Sequence, residues 1–209
     1  RDPQGILWVG TYTDGLLQLQ GEHLKQVNTT KNGLSSNEVR AILIDHVGNR
    51  WVGTTNGLDC FYPDGTVRHF TRKDGLPANF VMALAEDSQQ RIWVGTGVGV
   101  AVLELGKFRN IDISKLDGAE YVFGFYAEPH HMWLTTDRGL IRYRFKDEQI
   151  SIVGRRAGLT IDKMFQVIPD KLGAFWLTTN RGMLRISQQD ANAVADGTRK
   201  TLSFEHFGE

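Results

Sequence analysis

Two hundred and nine residues leave room for one domain or two small ones and for a substantial core, which excludes a fold that depends on staples. Lys plus Arg and Asp plus Glu number 24 each, so the zero net charge points to neither nucleic acid nor an acidic membrane as partner. The mean hydropathy of −0.30 and the lack of any apolar stretch near the ~18 residues of a membrane span mark a globular chain, and 23 Gly against 5 Pro predict many tight turns between short strands.

The chain opens on Asp2, Gly5 and Trp8, with no charged prelude to an apolar signal segment in residues 1–4. Trp8 begins a spacing that runs to the end: the five Trp stand at 8, 51, 93, 133 and 176, at intervals of 43, 42, 40 and 43 residues. Each is followed three residues later by Thr, at Thr11, Thr54, Thr96, Thr136 and Thr179, and then by a turn ending in Gly. The second unit reads Gly33-Leu34, an apolar strand over 39–44, a turn on Asp45 and Gly48, the Trp51 strand, and strands over 58–62 and 67–70. The third repeats this with Gly75-Leu76, a strand over 81–85, Asp87 with Gln90 in place of Gly, Trp93, and strands over 100–105 and 108–111. The fourth is shortened and irregular: Asp117-Gly118-Ala119, a strand over 121–126, Glu128-Pro129-His130-His131, Trp133, and strands over 140–145 and 150–153. The fifth returns to the pattern with Gly158-Leu159, 164–168, Asp170 and Gly173, Trp176, 183–186 and an outer strand over 202–207.

Four strands per unit of about 42 residues, with the innermost so continuously apolar that it reads as buried on both faces and the outermost most polar, predict an all-β fold, a β-propeller of four-stranded blades. About five blades are visible, the first without its inner strand. No 3.6-residue apolar period persists for three turns, so no helix is predicted. Because a propeller closes by completing one blade from both termini, residues 1–209 are expected to form one propeller segment of a longer chain and a larger ring.

The unit Gly-Leu, apolar strand, Asp-x-x-Gly-x-x-Trp-Val-Gly-Thr, turn, Gly-Leu resembles the two-component-regulator propeller repeat, most fully over Gly33 to Leu58 and Gly75 to Val100. Ala119 in place of Leu and the fourth Asp turn are the departures. The resemblance implies an extracytoplasmic sensor module, periplasmic or extracellular, of a bacterial membrane protein. In such proteins a small β-sandwich, a membrane span and a histidine kinase or diguanylate cyclase output domain follow.

The repeated Asp, Gly, Trp and Thr read as builders of turns and blade contacts. Function is expected where the units differ, on the loops that enter the inner strand and leave the Trp strand. The candidate ligand contacts there are Arg40, Asn56, Phe80, Tyr121, Asp137, Arg138, Lys163 and Arg181, with Tyr12, Asn37, Asn79, Val98, Asp162 and Asn180 on the same loops. Arg, Asn and aromatic side chains suit a polar small molecule, a glycan or a protein segment. His130-His131 lacks a third ligand for a metal, Glu86-Asp87 lacks a partner for acid–base work, and no nucleophile or phosphate-loop motif occurs. Cys60, the single cysteine, reads as a small buried thiol and excludes an internal disulfide. The expectation is a non-catalytic sensor with no cofactor, no metal and no nucleic acid, and with a second copy of the chain as a candidate partner. A glycan-acting propeller enzyme and a protein-binding scaffold are the alternatives.

Overall fold

The structure is a computed structural model that describes residues 2–161 and 163–208. It contains two compact units, Arg1–Ile111 and Asp112–Glu209. The first unit holds three antiparallel sheets. β1 (Leu7–Gly10), β2 (Leu16–Gln20) and β3 (His23–Asn28) form a three-stranded sheet, in line with a first blade that lacks its inner strand. β4 (Val39–Ile44), β5 (Arg50–Thr54), β6 (Gly57–Phe61) and β7 (Val67–Phe70) make the second sheet in chain order, and β8 (Val81–Glu86), β9 (Ile92–Thr96), β10 (Gly99–Glu104) and β11 (Lys107–Ile111) the third. In the second unit, β12 (Val122–Ala127), β13 (His131–Thr136), β14 (Gly139–Arg144) and β15 (Ile150–Gly154) form one sheet, and β16 (Met164–Pro169), β17 (Ala174–Thr179), β18 (Gly182–Ser187) and β19 (Phe204–Phe207) the other.

The repeated residues fix each sheet by the same bonds. Asp45 Oδ1 accepts from the backbone N–H groups of Val47 (3.1 Å) and Asn49 (2.8 Å), while its Oδ2 accepts from Trp51 Nε1 at 2.9 Å. Asp2, Asp87 and Asp170 hold Trp8, Trp93 and Trp176 in the same way, at 3.0, 2.7 and 3.0 Å. The irregular fourth unit keeps the bond by another route: Glu128, five residues before Trp133, reaches its Nε1 at 3.0 Å with one more methylene. Gly48 and Gly173 turn the chain at φ of +88° and +84°, and Gln90 adopts φ +63° where the third unit has no Gly. At the far end of each Trp strand the Thr hydroxyl donates to the carbonyl of the turn Gly, at 2.8–3.0 Å from Thr11 to Thr179. It also accepts the N–H of the residue before that Gly, as Arg138 N–H to Thr136 at 3.1 Å. These polar side chains satisfy buried backbone groups and so belong to the fold.

Neighbouring sheets within a unit meet through clusters of large apolar side chains and, at points of closest approach, through glycine. The first unit buries Trp51, Leu58, Cys60, Phe70, Leu76, Val81 and Val94 in one cluster, and the second buries Trp133, Leu159, Met164, Phe175, Leu177 and Leu184 in another. Gly53 stands against Val81 of the next sheet so closely that a Cβ there would lie 2.5 Å from Val81 Cγ1. Thr135 takes the equivalent place in the fourth unit and donates to the Phe165 carbonyl at 2.9 Å, and its opposite rung is Gly124 instead of Ala41.

Two expectations need correction. The inner strands are not buried on both faces: β4 and β8 are mostly half-buried, whereas β5, β6 and β9 are almost wholly buried. An inner strand is the edge of its own sheet, while the second and third strands are flanked on both sides. A helix is also present, α1 (Gln188–Ala195), between β18 and β19. Ser187 caps it by accepting the Asp190 N–H at 3.2 Å, and Ala191 and Ala195 form its buried face. Two turns whose apolar contacts are Ala191, Val194 and Ala195 are too short for a 3.6-residue period to show over three turns. The fully buried Arg142 of β14 anchors this helix, donating to Asn192 Oδ1 at 2.7 Å and pairing with Asp196 while its guanidinium lies 5.8 Å from the Trp133 ring.

Candidate functional site

In every four-stranded sheet the first residue of the inner strand pairs with the last of the Trp strand: Val39 with Thr54, Val81 with Thr96, Val122 with Thr136 and Met164 with Thr179. The loops entering and leaving these strands therefore emerge side by side at one end of each sheet. Immediately inside that end the register shifts in all four inner strands, leaving Arg40, Met82, Phe123 and Phe165 as the extra, unpaired residues of β-bulges. A bulge re-aims a side chain and recurs near binding sites. Its position holds Arg, Met, Phe and Phe in the four units, so the repeat pattern fixes no residue type there.

The first unit brings three candidates together. The Arg40 guanidinium lies 4.7 Å from the Tyr12 ring and 5.2 Å from the Phe80 ring, donates to Tyr12 Oη at 2.6 Å and pairs with Glu38 at 3.0 Å. This is a preassembled stack of one cation between two rings, with Tyr12 68% exposed. Asn56 is instead a loop brace: its N–H bonds Thr54 Oγ1 at 3.1 Å and its amide donates to the Ser35 carbonyl at 3.3 Å. Asn37 and Asn79 likewise accept loop N–H groups, from Thr30 at 2.8 Å and Arg72 at 2.9 Å. Val98 is exposed at its turn.

The second unit gathers the others. Asp137 accepts the backbone N–H groups of Glu120 (3.0 Å) and Tyr121 (3.1 Å) and faces Arg138 Nε at 3.5 Å, so it positions its neighbours. Tyr121, 43% exposed, stacks on Phe123 with ring centres 5.9 Å apart and planes 10° apart, and Phe123 meets Phe165 edge-on at 5.2 Å. Arg138, Lys163 and Arg181 line a depression of about 200 Å³ together with Asp137, Arg155, Thr160, Ile161 and Asn180. A second of about 400 Å³ is lined by Asp117, Arg138, Arg155 and Arg156. Arg155 and Arg156 were not among the sequence candidates; a vicinal Arg pair just before the Gly158-Leu159 turn was the available signal. Asp162 lies outside the described residues.

Other constellations resolve into structure. Ser35, Asp59 and His69 carry the residue types of a nucleophile triad, yet Ser35 donates directly to Asp59 Oδ1 at 2.5 Å, and His69 Nδ1 is the ring atom nearest both, at 2.7 Å from Asp59 and 3.3 Å from Ser35. A triad places the imidazole between acid and hydroxyl through its two nitrogens. Here three donors satisfy one buried carboxylate, the third being the Ser35 backbone N–H at 2.8 Å. Glu86 accepts the His46 N–H at 2.9 Å and pairs with its ring, and Asp87 belongs to its Trp turn. His131 approaches Glu128 at 3.5 Å; burial and then the nearby Arg142 charge push its pKa down despite that carboxylate. Among the described residues no group of three His, Cys, Asp or Glu could hold a metal ion.

Residues 75–97 match the two component regulator propeller family. Over 99% of the chain the structure superposes on the extracellular domain of the hybrid two component system BT3049 of B. thetaiotaomicron, with a TM-score of 0.79 and 24% identity. The corresponding domain of BT4673 from the same organism matches over 85% with a TM-score of 0.70 and 21% identity. The chain spans only 28% and 25% of those two domains. Virginiamycin B lyase of Staphylococcus aureus is also similar over 99% of the chain and 67% of its own, with a TM-score of 0.73 and 12% identity. The likeness establishes the β-propeller fold. No curated protein matches the chain in sequence.

Proposed function

Because the chain carries the two component regulator propeller repeat, we propose that it is part of the extracytoplasmic sensor propeller of a membrane-bound bacterial signalling protein, with its ligand read at the loop end of the blades. The observation that carries this reading is the repeat match at 75–97 within a five-fold Trp pattern. The likeness to two extracellular two component domains supports it. Among the described residues no helix is long and apolar enough to cross a membrane, so in this reading the anchor and the histidine kinase or diguanylate cyclase output belong to the rest of the protein. The blade scaffold is rigid where its Asp, Trp and Thr bonds repeat and variable where Arg40, Phe80, Tyr121, Arg138, Lys163 and Arg181 stand. Signalling then requires that the ligand bind two arrangements of the propeller, or of the propeller and a second copy, with unequal affinity.

The likeness to the lyase makes catalysis the second reading. Against it, Ser35, Asp59 and His69 bond to one another in an order that does not activate the hydroxyl. A thermal-shift screen of the full-length protein against neutral and charged sugars, amino acids and nucleotides tests the proposal. A ligand at about 100 times its Kd adds about 2.7 kcal/mol to the native state and raises the unfolding midpoint by several degrees. Unchanged midpoints across the panel, together with unaltered output when residues 1–209 are removed, would overturn it.

A further inference from the structure

We infer that the depression around Arg50, between the first two sheets, binds a small organic carboxylate with a compact ring body. The position immediately before each repeating Trp holds Leu7, Arg50, Ile92, Met132 and Phe175, of which Ile92, Met132 and Phe175 are buried. The second unit therefore puts an arginine where the repeat otherwise puts an apolar side chain. Its guanidinium lies between the Trp8 ring at 4.3 Å and the Phe61 ring at 4.8 Å, and Nη2 donates to Asn28 Oδ1 at 3.1 Å. Nε is enclosed without a hydrogen-bond partner. Burial lowers the Arg50 pKa, and no carboxylate offsets that effect. Arg91, Arg142 and Arg185 also face Trp rings, but each pairs with an acid: Arg91 with Asp87 at 2.7 Å, Arg142 with Asp196, and Arg185 with Glu205 at 2.8 Å.

Two rings hold the cation from above and below, yet they offer no acceptor to its in-plane N–H groups, and a part-buried charge without an acceptor is costly. The depression beside it, of about 400 Å³, is lined by Arg50 with Asn28, Phe61, Tyr62, Pro63 and Val67 among others, and no Asp or Glu stands among the described lining residues. Asp64, the nearest acid in sequence to that wall, turns to Thr66, whose N–H and hydroxyl its Oδ1 accepts at 2.8 and 2.7 Å. The end of the guanidinium matches the two oxygens of a carboxylate. Phe61, Tyr62 and Pro63 give the body of such a ligand a wall to lie on, and one cation suits a monoanion. Arg50 begins β5, at the end of that strand away from Thr54, so the site is separate from the stack of Tyr12, Arg40 and Phe80 and does not rest on the sensor reading.

Titration calorimetry on the full-length protein, wild type and Arg50→Met, tests the site with benzoate, glucuronate, inorganic phosphate and neutral glucose. At least one of the two ring carboxylates is expected to bind the wild type, and Arg50→Met is expected to weaken it by about tenfold or more through lost charge-assisted bonds. Glucose is expected to distinguish the two proteins not at all. Because Arg50→Met brings in the residue type that the fourth unit carries at this position, the ligand-free melting temperature is expected to stay equal or rise as the unpaired charge is removed. Arg50→Lys keeps the charge without the fork and is expected to bind several-fold more weakly than the wild type; it carries the test if Arg50→Met does not fold. Ring carboxylates that bind wild type and Arg50→Met equally, or phosphate that binds tighter than either of them, would overturn the inference. A lower melting temperature for Arg50→Met together with no carboxylate binding by the wild type would assign Arg50 to packing alone and overturn it as well.

Discussion

Gly53 is a test of how the blades fit. Its backbone is in a region any L residue adopts, so Gly53→Ala perturbs contact alone: the new Cβ would sit 2.5 Å from Val81 Cγ1 and 3.3 Å from Ala41 Cβ, against the ~3.5–4.0 Å at which carbons rest. Val81 is fully buried and pinned by its rung to Thr96, so relief requires moving the start of β8. Overpacking of this kind costs about 1–3 kcal/mol, and the rigid neighbour places Gly53→Ala near 3. Val81→Ala removes two buried methyl groups, about 1.6 kcal/mol of transfer plus a cavity, or about 2.5 in all. Independent effects would sum to about 5.5 kcal/mol, but in the double variant the methyl added at position 53 occupies the space that Val81 vacates. The loss should then return to about 2.5, a coupling of about 3 kcal/mol. At roughly 2–4 °C per kcal/mol the single Gly53→Ala lowers the melting temperature by about 6–12 °C, with the double variant close to Val81→Ala. Urea unfolding followed by tryptophan fluorescence reads all three. A double variant at the additive sum would refute the contact as the reason for glycine.

Trp93→Phe removes a donor from the buried Asp87 carboxylate and should destabilise by about 2–4 kcal/mol, whereas Trp8→Phe, whose Asp2 is only half-buried, should cost about 1 or less; thermal unfolding of each compares them. Arg142→Ala should release α1, seen as protease cleavage within 188–199 and a loss of about 2 kcal/mol from buried charge-assisted bonds. The Arg142 hydrogen bond holds Asp196 below its ordinary pKa of 3.8, so its stabilisation is complete above that value and is lost as pH falls through the lower folded one; the protection factors of the α1 amides, exchange rates divided into the intrinsic rates at each pH, should fall there and not at pH 6. Burial raises Cys60 from 9.0 to about 11, so a thiol reagent at pH 8 should label it only after unfolding. The unfolded thiol ionises first, so its contribution to stability is constant below pH 9 and falls between 9 and about 11.

What was legible in the sequence was what the repeat enforces. Trp51 and Trp93 recur because an indole N–H must meet an acid six residues earlier, and Thr54 and Thr96 because a hydroxyl must close a turn. Those needs select one residue type, so they leave a period. Glu128 meets the same need with a different length and hid the fourth turn from the pattern. The bulges at Arg40, Met82, Phe123 and Phe165 select no residue type and left none. Of the loop residues, Arg40 and Phe80 stack, and Arg138, Lys163 and Arg181 share a wall. Asn56 and Asp137 have the same polarity, but they bond the loops themselves, a distinction that depends on where backbone N–H groups lie. Arg155 and Arg156 leave no mark in the repeat, because net charge and local sequence do not reveal which cations a fold brings together.

The most direct test of the sensor reading is the transcript response of cells that produce the full-length protein, wild type or with Arg138→Gln and Arg181→Gln, across a panel of neutral and acidic carbon sources. The account predicts a source-dependent response in the wild type that disappears in the variant while the amount and melting temperature of the protein stay the same. An identical response in both would contradict the claim that the signal is read at this loop end.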